Sequence, residues 1–159
     1  MAESPENCMA ELLNHASRIT VKEAEDKESL SPGTAYLAPP GYHLLIDPDR
    51  SVSLSVDERV NHARPSIDVL FESAAETFDE ALIGIVLTGA NADGAQGLKT
   101  IKGYGGLAIV EDPESAEHPA MPKAALAATK VDYVVTLERL VPLLLHLTVH
   151  DTEAYGTHG

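Results

Sequence analysis

The chain has 159 residues, of which 44% are hydrophobic and 4% aromatic, so it predicts one globular domain with an aliphatic core. Its formal net charge of -14 is the opposite of the basic footprint that nucleic-acid binding needs, and an anionic membrane surface would repel it. A single cysteine, Cys8, excludes an internal disulfide, and no apolar run approaches the roughly 18 residues that span a bilayer. We therefore expect a cytoplasmic protein with no secretory signal and no membrane insertion.

The first third of the chain predicts one helix and several short strands. Residues 4–16 carry an apolar stripe at helical spacing, with Ser4 as a cap and Pro5 at the first helical position. Strand-like segments then follow, separated by Pro, Gly and Asp-Pro turn signals: 18–26, 34–38, 43–47 and 51–56. The last two predict an antiparallel hairpin.

The rest of the chain alternates between helices and strands. The predicted helices are 64–78, 93–104, 121–128 and 137–147, and the predicted strands are 83–89, 106–111 and 132–136. Pro142 is expected either to kink the last helix or to delay its start. This order predicts a doubly wound, mainly parallel α/β sheet, with the hairpin at one side. Residues 1–148 form the predicted domain, and the polar residues 149–159 are expected to form a frayed, disordered tail.

Two loops at neighbouring strand ends are predicted to form the walls of a site. Residues 88–93 follow one apolar strand and residues 111–122 follow the next. Ligands of parallel α/β sheets bind outside the carboxyl ends of the strands, which is where both loops lie.

Asp93 is the one ionisable residue in the stretch LTGANADGAQG. Its position suits two roles that can coexist, the N-cap of the following helix and a carboxylate that orients a histidine. The glycines there match neither a dinucleotide fingerprint nor a P-loop, and the histidines show no metal-binding spacing. Cys8 and His15 are too far apart along one helix to act as nucleophile and base, and no strained elbow surrounds Ser115 near His118.

A series of motifs resembles the catalytic domain of CheB-type protein-glutamate methylesterases. In chain order they are PG-x-x-Y-x-APP, RPS-x-D-x-LF, LTG-x-x-x-DGA-x-G, DP-x-x-A and MP-x-AA, and the resemblance extends from about residue 4 to 148. That family removes methyl groups from glutamate methyl esters on the cytoplasmic helices of chemoreceptors. It uses a Ser-His-Asp triad, with no metal or cofactor, and a receiver domain often precedes the catalytic domain. Methylated chemoreceptor helices, and a receiver domain or other chemotaxis proteins, are therefore the expected partners.

The resemblance assigns the triad aspartate to Asp93. It places the main-chain donor of an oxyanion hole at Ala90, where the family commonly has Met, and Asn91 replaces a usual Gly. The remaining residues of this first site loop are Thr88, Gly89 and Gly94, and the second site loop contributes Met121 and Pro122.

Two other parts of the family pattern do not occur in these 159 residues. The nucleophile of the family lies in a G-x-S-x-GG turn and its histidine in a Q-H pair, and neither is present. Met1 aligns directly after that histidine, so the first strand-helix-strand unit is predicted to be missing, through either a misplaced gene start or a truncation. The leading hypothesis is a methylesterase domain that is inactive in this form. The alternatives are a non-catalytic receptor-binding or regulatory remnant and an unrelated ligand-binding domain.

Overall fold

The computed structural model describes residues 19–156, with side chains up to residue 148. The predicted helix over 4–16, with Cys8 and His15, lies outside the described residues. The strands are β1 Thr20–Glu23, β2 Thr34–Leu37, β3 His43–Ile46, β4 Val52–Ser55, β5 Ile83–Val86, β6 Leu107–Glu111 and β7 Tyr133–Val135. The helices are α1 Ile67–Phe78, α2 Ala95–Gly103, α3 Ala120–Ala128 and α4 Leu137–Gly156.

Strands β5, β6 and β7 form a parallel sheet in that order, with β6 in the middle. The central strand is an almost continuous apolar run, as expected for a strand covered on both faces. Around it lies an aliphatic core from this sheet and the helices: Ala75, Val86, Leu98, Ile101, Ala108, Val110, Met121 and Ala125. The predicted mixed α/β fold is confirmed.

The predicted hairpin is also confirmed, since β3 and β4 pair antiparallel through a turn at Asp47–Ser51. Strands β1 and β2 form a separate parallel pair. Helix α1 packs against β3 on one side and against α2 on the other. It therefore connects the hairpin to the parallel sheet and brings its own N-terminus to the start of α2.

Several element boundaries differ by one to three residues from the sequence prediction, and helices α2 and α4 show the differences that have a clear cause. Helix α2 begins at Ala95 instead of 93, because Gly94 adopts a left-handed conformation (φ 100°) just before it. Pro142 lies inside α4, so it does not delay the start of that helix. Helix α4 continues to Gly156, through most of the segment predicted to be a frayed tail, since Gly156 is the first Gly or Pro after Pro142. The domain limits themselves stay a prediction.

Within residues 19–156, no helix combines the length and the apolar character needed to cross a lipid bilayer.

Candidate active site

Two aspartates stabilise the N-termini of two neighbouring helices in a reciprocal arrangement. Asp93, which precedes α2, accepts hydrogen bonds from the first two N–H groups of α1, those of Ile67 (2.6 Å) and Asp68 (3.3 Å). Asp68, in the first turn of α1, accepts hydrogen bonds from Gly94 (3.0 Å) and Gly97 (2.7 Å) at the start of α2. Each carboxylate thus satisfies free N–H groups and faces the positive end of the other helix.

This arrangement corrects the expectation that Asp93 is the N-cap of its own helix. The N-cap of α2 is Gly94, which has no side chain, and the capping oxygen comes from Asp68 instead. The left-handed Gly94 separates Asp93 from the first turn of α2, and the Asp93 carboxylate reaches α1. The capping role is real, but the capped helix is a different one.

The Asp93 carboxylate is buried, with 2% of the residue exposed, and it is extensively hydrogen-bonded. In addition to the two N–H groups of α1, it accepts a hydrogen bond from the Ser66 hydroxyl (2.8 Å) and one from the Asn61 amide (3.1 Å). In the described part of the chain no Lys, Arg or His nitrogen lies within ion-pair distance of it. A buried carboxylate held only by N–H and O–H donors is suited to stabilising a cation that forms next to it, such as an imidazolium.

Hydrogen bonds join the two predicted site loops at their bases. The Thr88 hydroxyl accepts the His118 N–H (2.6 Å) and lies 3.2 Å from the His118 carbonyl. The Gly89 N–H donates to the His118 carbonyl (2.9 Å), and the Met121 N–H donates to the Gly89 carbonyl (3.0 Å). The buried carboxylate of Glu111, at the end of β6, accepts the Thr88 N–H (3.0 Å).

Side-chain packing also brings the loops together. A Cβ added to Gly89 would lie 2.6 Å from the Met121 Cε, so the Met121 thioether covers the Gly89 backbone directly. Met121 and Pro122 are both buried, whereas Ala90 and Asn91 are exposed. The structure therefore places the predicted residues of both loops together at the carboxyl end of the parallel sheet.

The tip of the first loop presents main-chain donors. Among the described residues, the N–H groups of Ala90, Asn91 and Ala92 have no hydrogen-bond partner. The Asn91 side chain accepts the Asp93 N–H (2.9 Å), and this local turn holds the tip next to the aspartate. A set of free N–H groups is what an oxyanion hole requires.

His43 is buried, but its hydrogen bonds exclude it as the base of a triad. Its Nε2 lies 2.8 Å from the Glu58 carbonyl, which only accepts, so Nε2 carries the proton. Its Nδ1 then accepts the Ser66 N–H (3.2 Å). Both ring nitrogens are occupied by the backbone, and the imidazole supports the residue that precedes α1.

Ser115 is not poised as a nucleophile either. Its hydroxyl is exposed and donates to the Asp112 carbonyl within its own turn (3.1 Å). Within residues 19–156, no group of three or more His, Cys, Asp and Glu side chains could hold a metal ion.

The sequence prediction missed several residues around Asp93. Ser66 and Asp68 lie in RPS-x-D-x-LF, and a serine before an apolar helix is an N-cap signal that could have identified Ser66. Glu111 is a charged residue at the end of a buried strand beside the predicted site, and this position could have identified it. Nothing in the sequence pattern identified Asn61 or His43, because their contacts depend on the tertiary arrangement.

Comparisons with known proteins identify the family of the chain. The family model described as CheB methylesterase matches residues 1–144. A putative protein-glutamate methylesterase/protein-glutamine glutaminase of Leptospira interrogans is 54% identical, over 89% of this chain and 74% of that protein. The protein-glutamate methylesterase/protein-glutamine glutaminase 2 of Syntrophus aciditrophicus is 38% identical, over 87% of this chain and 41% of that protein.

A solved structure has the same fold. The crystal structure of the Thermotoga maritima CheB methylesterase catalytic domain is 33% identical, with a TM-score of 0.85, and the match covers 92% of this chain and 79% of that one. On the family match, the sequence identities and the shared fold, the chain belongs to the CheB methylesterase family.

Proposed function

We propose that this chain supplies the catalytic aspartate and the oxyanion loop of a methylesterase that hydrolyses glutamate methyl esters on the cytoplasmic helices of chemoreceptors. The observation that carries the proposal is the buried Asp93 carboxylate, which within residues 19–156 is held by neutral donors alone and follows a loop tip whose N–H groups have no partner there. Asp93 and Ala90 are the residues to which the family motif assigns these two roles.

In the proposed mechanism a serine oxygen attacks the ester carbonyl while a histidine removes the serine proton. The carbonyl oxygen becomes an oxyanion and accepts the Ala90 N–H. Asp93 holds the histidine in the correct tautomer and stabilises the imidazolium. The imidazolium then protonates the leaving methoxide, methanol departs, and water hydrolyses the acyl-serine to release the glutamate carboxylate.

The serine and the histidine are not among the 159 residues, which contain neither a G-x-S-x-GG turn nor a Q-H pair. The backbone hydrogen bonds of His43 and Ser115 support the view that neither residue replaces them. An aspartate alone cannot activate an ester, so the 159-residue chain by itself is predicted to be inactive. The same fact motivates the second candidate, a non-catalytic receptor-binding or regulatory module of this family.

One experiment separates the two candidates. The codons upstream of Met1 are translated in frame, and any extended chain is compared with the 159-residue chain for methanol release from methylated receptor. The enzyme proposal predicts a serine turn and a Q-H pair upstream, turnover by the extended chain and none by the 159-residue chain. Stop codons in place of those motifs, together with receptor binding by the short chain, would support the non-catalytic module.

A further activity is suggested by the names of the relatives, which include protein-glutamine glutaminase. The same acyl-transfer chemistry applies to a glutamine side chain, with ammonia as the leaving group in place of methanol. We expect the extended chain to release ammonia from receptor glutamines. Since Asp93 serves both reactions, Asp93→Asn should abolish both.

A further inference from the structure

Asn61 lies at the tip of a two-residue turn that points it into the candidate site. Val60 and Ala63 pair antiparallel through two backbone hydrogen bonds (3.0 and 2.9 Å). The two residues between them, Asn61 and His62, both have left-handed backbones, with φ of 53° and 64°. Asn and His both adopt this conformation more readily than most non-glycine residues, and the two hydrogen bonds between Val60 and Ala63 close the turn around them.

The Asn61 side chain bridges the two aspartates that cap α1 and α2. Its amide nitrogen donates one hydrogen to Asp68 Oδ2 (2.8 Å) and the other to Asp93 Oδ1 (3.1 Å). Both carboxylates are buried, at 5% and 2% exposure. The primary amide can donate to both acceptors at once, and it separates two like charges without introducing a cation that would neutralise Asp93.

The two oxygens of Asp93 are used unequally. Oδ1 accepts hydrogen bonds from the Ser66 hydroxyl, the Asn61 amide and the Asp68 N–H. Oδ2 accepts a single hydrogen bond, from the Ile67 N–H at 2.6 Å. In the described part of the chain, the remaining acceptor capacity of this carboxylate is therefore on Oδ2.

We propose that Asn61 is a positioning residue for Asp93: together with Ser66 it saturates Oδ1 and fixes the carboxylate so that Oδ2 receives the imidazole N–H. The geometric part of this inference stands on the hydrogen bonds alone, and only the role of the imidazole rests on the proposed function. Asn61 touches no reacting atom and acts through Asp93.

The first test needs no activity. In the folded 159-residue chain, the Ile67 amide proton should be strongly deshielded by its short bond to Asp93 Oδ2. Asn61→Gly keeps the left-handed turn but removes the amide, and Asn61→Asp keeps the shape but places a third carboxylate against Asp68 and Asp93. Both should move the Ile67 proton resonance upfield in a proton–nitrogen correlation spectrum. The matched control His62→Gly, in the same turn, should leave it unchanged. An unchanged Ile67 resonance in both Asn61 variants would overturn the proposal.

The second test uses a chain that also carries the serine and histidine of the proposed function. Asn61→Gly should lower kcat by about tenfold to a hundredfold with KM changed less than about twofold, because a misplaced carboxylate weakens the transition state more than substrate binding. Asn61→Asp should lower kcat further, and His62→Gly should have no effect. If Asp93→Asn lowers kcat but both Asn61 variants leave it intact, the positioning role is wrong. If wild type shows no turnover, the proposed function fails and the Ile67 resonance still decides the geometry.

Discussion

The two ends of the three-stranded sheet hold their carboxylates in different ways. At the amino end, Asp132 accepts the Ala108 N–H (2.7 Å) and pairs with Lys102 (2.9 Å). At the carboxyl end, Asp93 and Asp68 are more deeply buried, and their hydrogen bonds from the described residues come from neutral N–H and O–H donors. Asp132 thus has a cationic partner, whereas the hydrogen bonds to Asp93 in the described part of the chain come from neutral donors.

The two ends of helix α2 also differ, in how closely neighbouring atoms approach the helix backbone. At its site end, Gly97 lies directly against α1, where a Cβ would meet the Phe71 Cβ at 2.6 Å and the Asp68 Cα at 3.1 Å. At its other end, a Cβ on Gly103 would meet nothing within 4 Å. The close helix crossing at the site end lets Asp68 and Asp93 reach each other's helix.

The largest expected effect is on catalytic activity, where Asp93 at the carboxyl end of the sheet should matter far more than Asp132 at the amino end. In a chain that also carries the proposed serine and histidine, Asp93→Asn should lower kcat by about 10⁴-fold, since the neutral amide cannot stabilise the imidazolium and favours the wrong tautomer. Asp132→Asn should leave kcat within about twofold. Initial rates of methanol release from methylated receptor provide the measurement. Comparable losses of kcat in both variants would show that Asp93 has no specific role in the reaction.

Gly97→Ala should destabilise the fold by about 2–3 kcal/mol, because the methyl group would have to separate α1 from α2. The matched control is Gly103→Ala in the same helix, which should be neutral or stabilise by up to about 1 kcal/mol. Urea unfolding of the three chains measures both free energies. An equal effect at the two glycines would show that the helices do not cross this closely at the site end.

Asp68→Asn should lower the free energy of unfolding by about 1–2 kcal/mol. Its amide oxygen can still accept the Gly94 and Gly97 N–H groups, but its amide nitrogen would face the Asn61 donor now 2.8 Å from Oδ2. The control is Asp57→Asn at an exposed carboxylate, which should change stability by less than about 0.5 kcal/mol. A loss no larger than that of the control would contradict the hydrogen bond from the Asn61 amide to Asp68 Oδ2.

The smallest predicted effect is on the loss of folding stability at acidic pH. Burial acts to raise the pKa of Asp132, but the Ala108 N–H and Lys102 outweigh it and hold that pKa below its ordinary value. A carboxyl with a lowered folded-state pKa stabilises the fold above its unfolded value of 3.8, and this stabilisation is lost as the pH falls through the lower, folded value.

Wild type should therefore lose about 1 kcal/mol more than Asp132→Asn between about pH 5 and pH 2. Urea midpoints across that range measure the difference. Identical acid dependence in the two chains would show that Lys102 and Ala108 do not stabilise the charged carboxylate.

Local pattern was enough to predict most of the fold but only part of the site. The apolar run before Thr88 is a local signal that predicts strand β5. The Asp-Pro turn after β3 is a local signal that predicts the hairpin of β3 and β4, and both predictions are confirmed. The meeting of the two site loops also followed, because neighbouring parallel strands end at the same edge.

The partners of Asp93 did not follow from local pattern. Asp93 and Ile67 are 26 residues apart, and Asn61 reaches Asp93 over 32 residues, so no periodicity links them. The wrong assignment of Asp93 to its own helix has the same cause. A capping preference describes which residue suits a helix start, but tertiary packing decides which helix the side chain meets.

The decisive distance is the one from the proposed histidine ring to the Asp93 carboxylate, measured in a crystal structure of a chain that also carries the proposed serine and histidine. We predict that the imidazole N–H donates to Asp93 Oδ2 at roughly 2.7–2.9 Å, with Oδ1 still held by Ser66 and Asn61. An imidazole that instead contacts Oδ1, or another carboxylate such as Asp68 or Glu111, would show that Asp93 Oδ2 is not its acceptor.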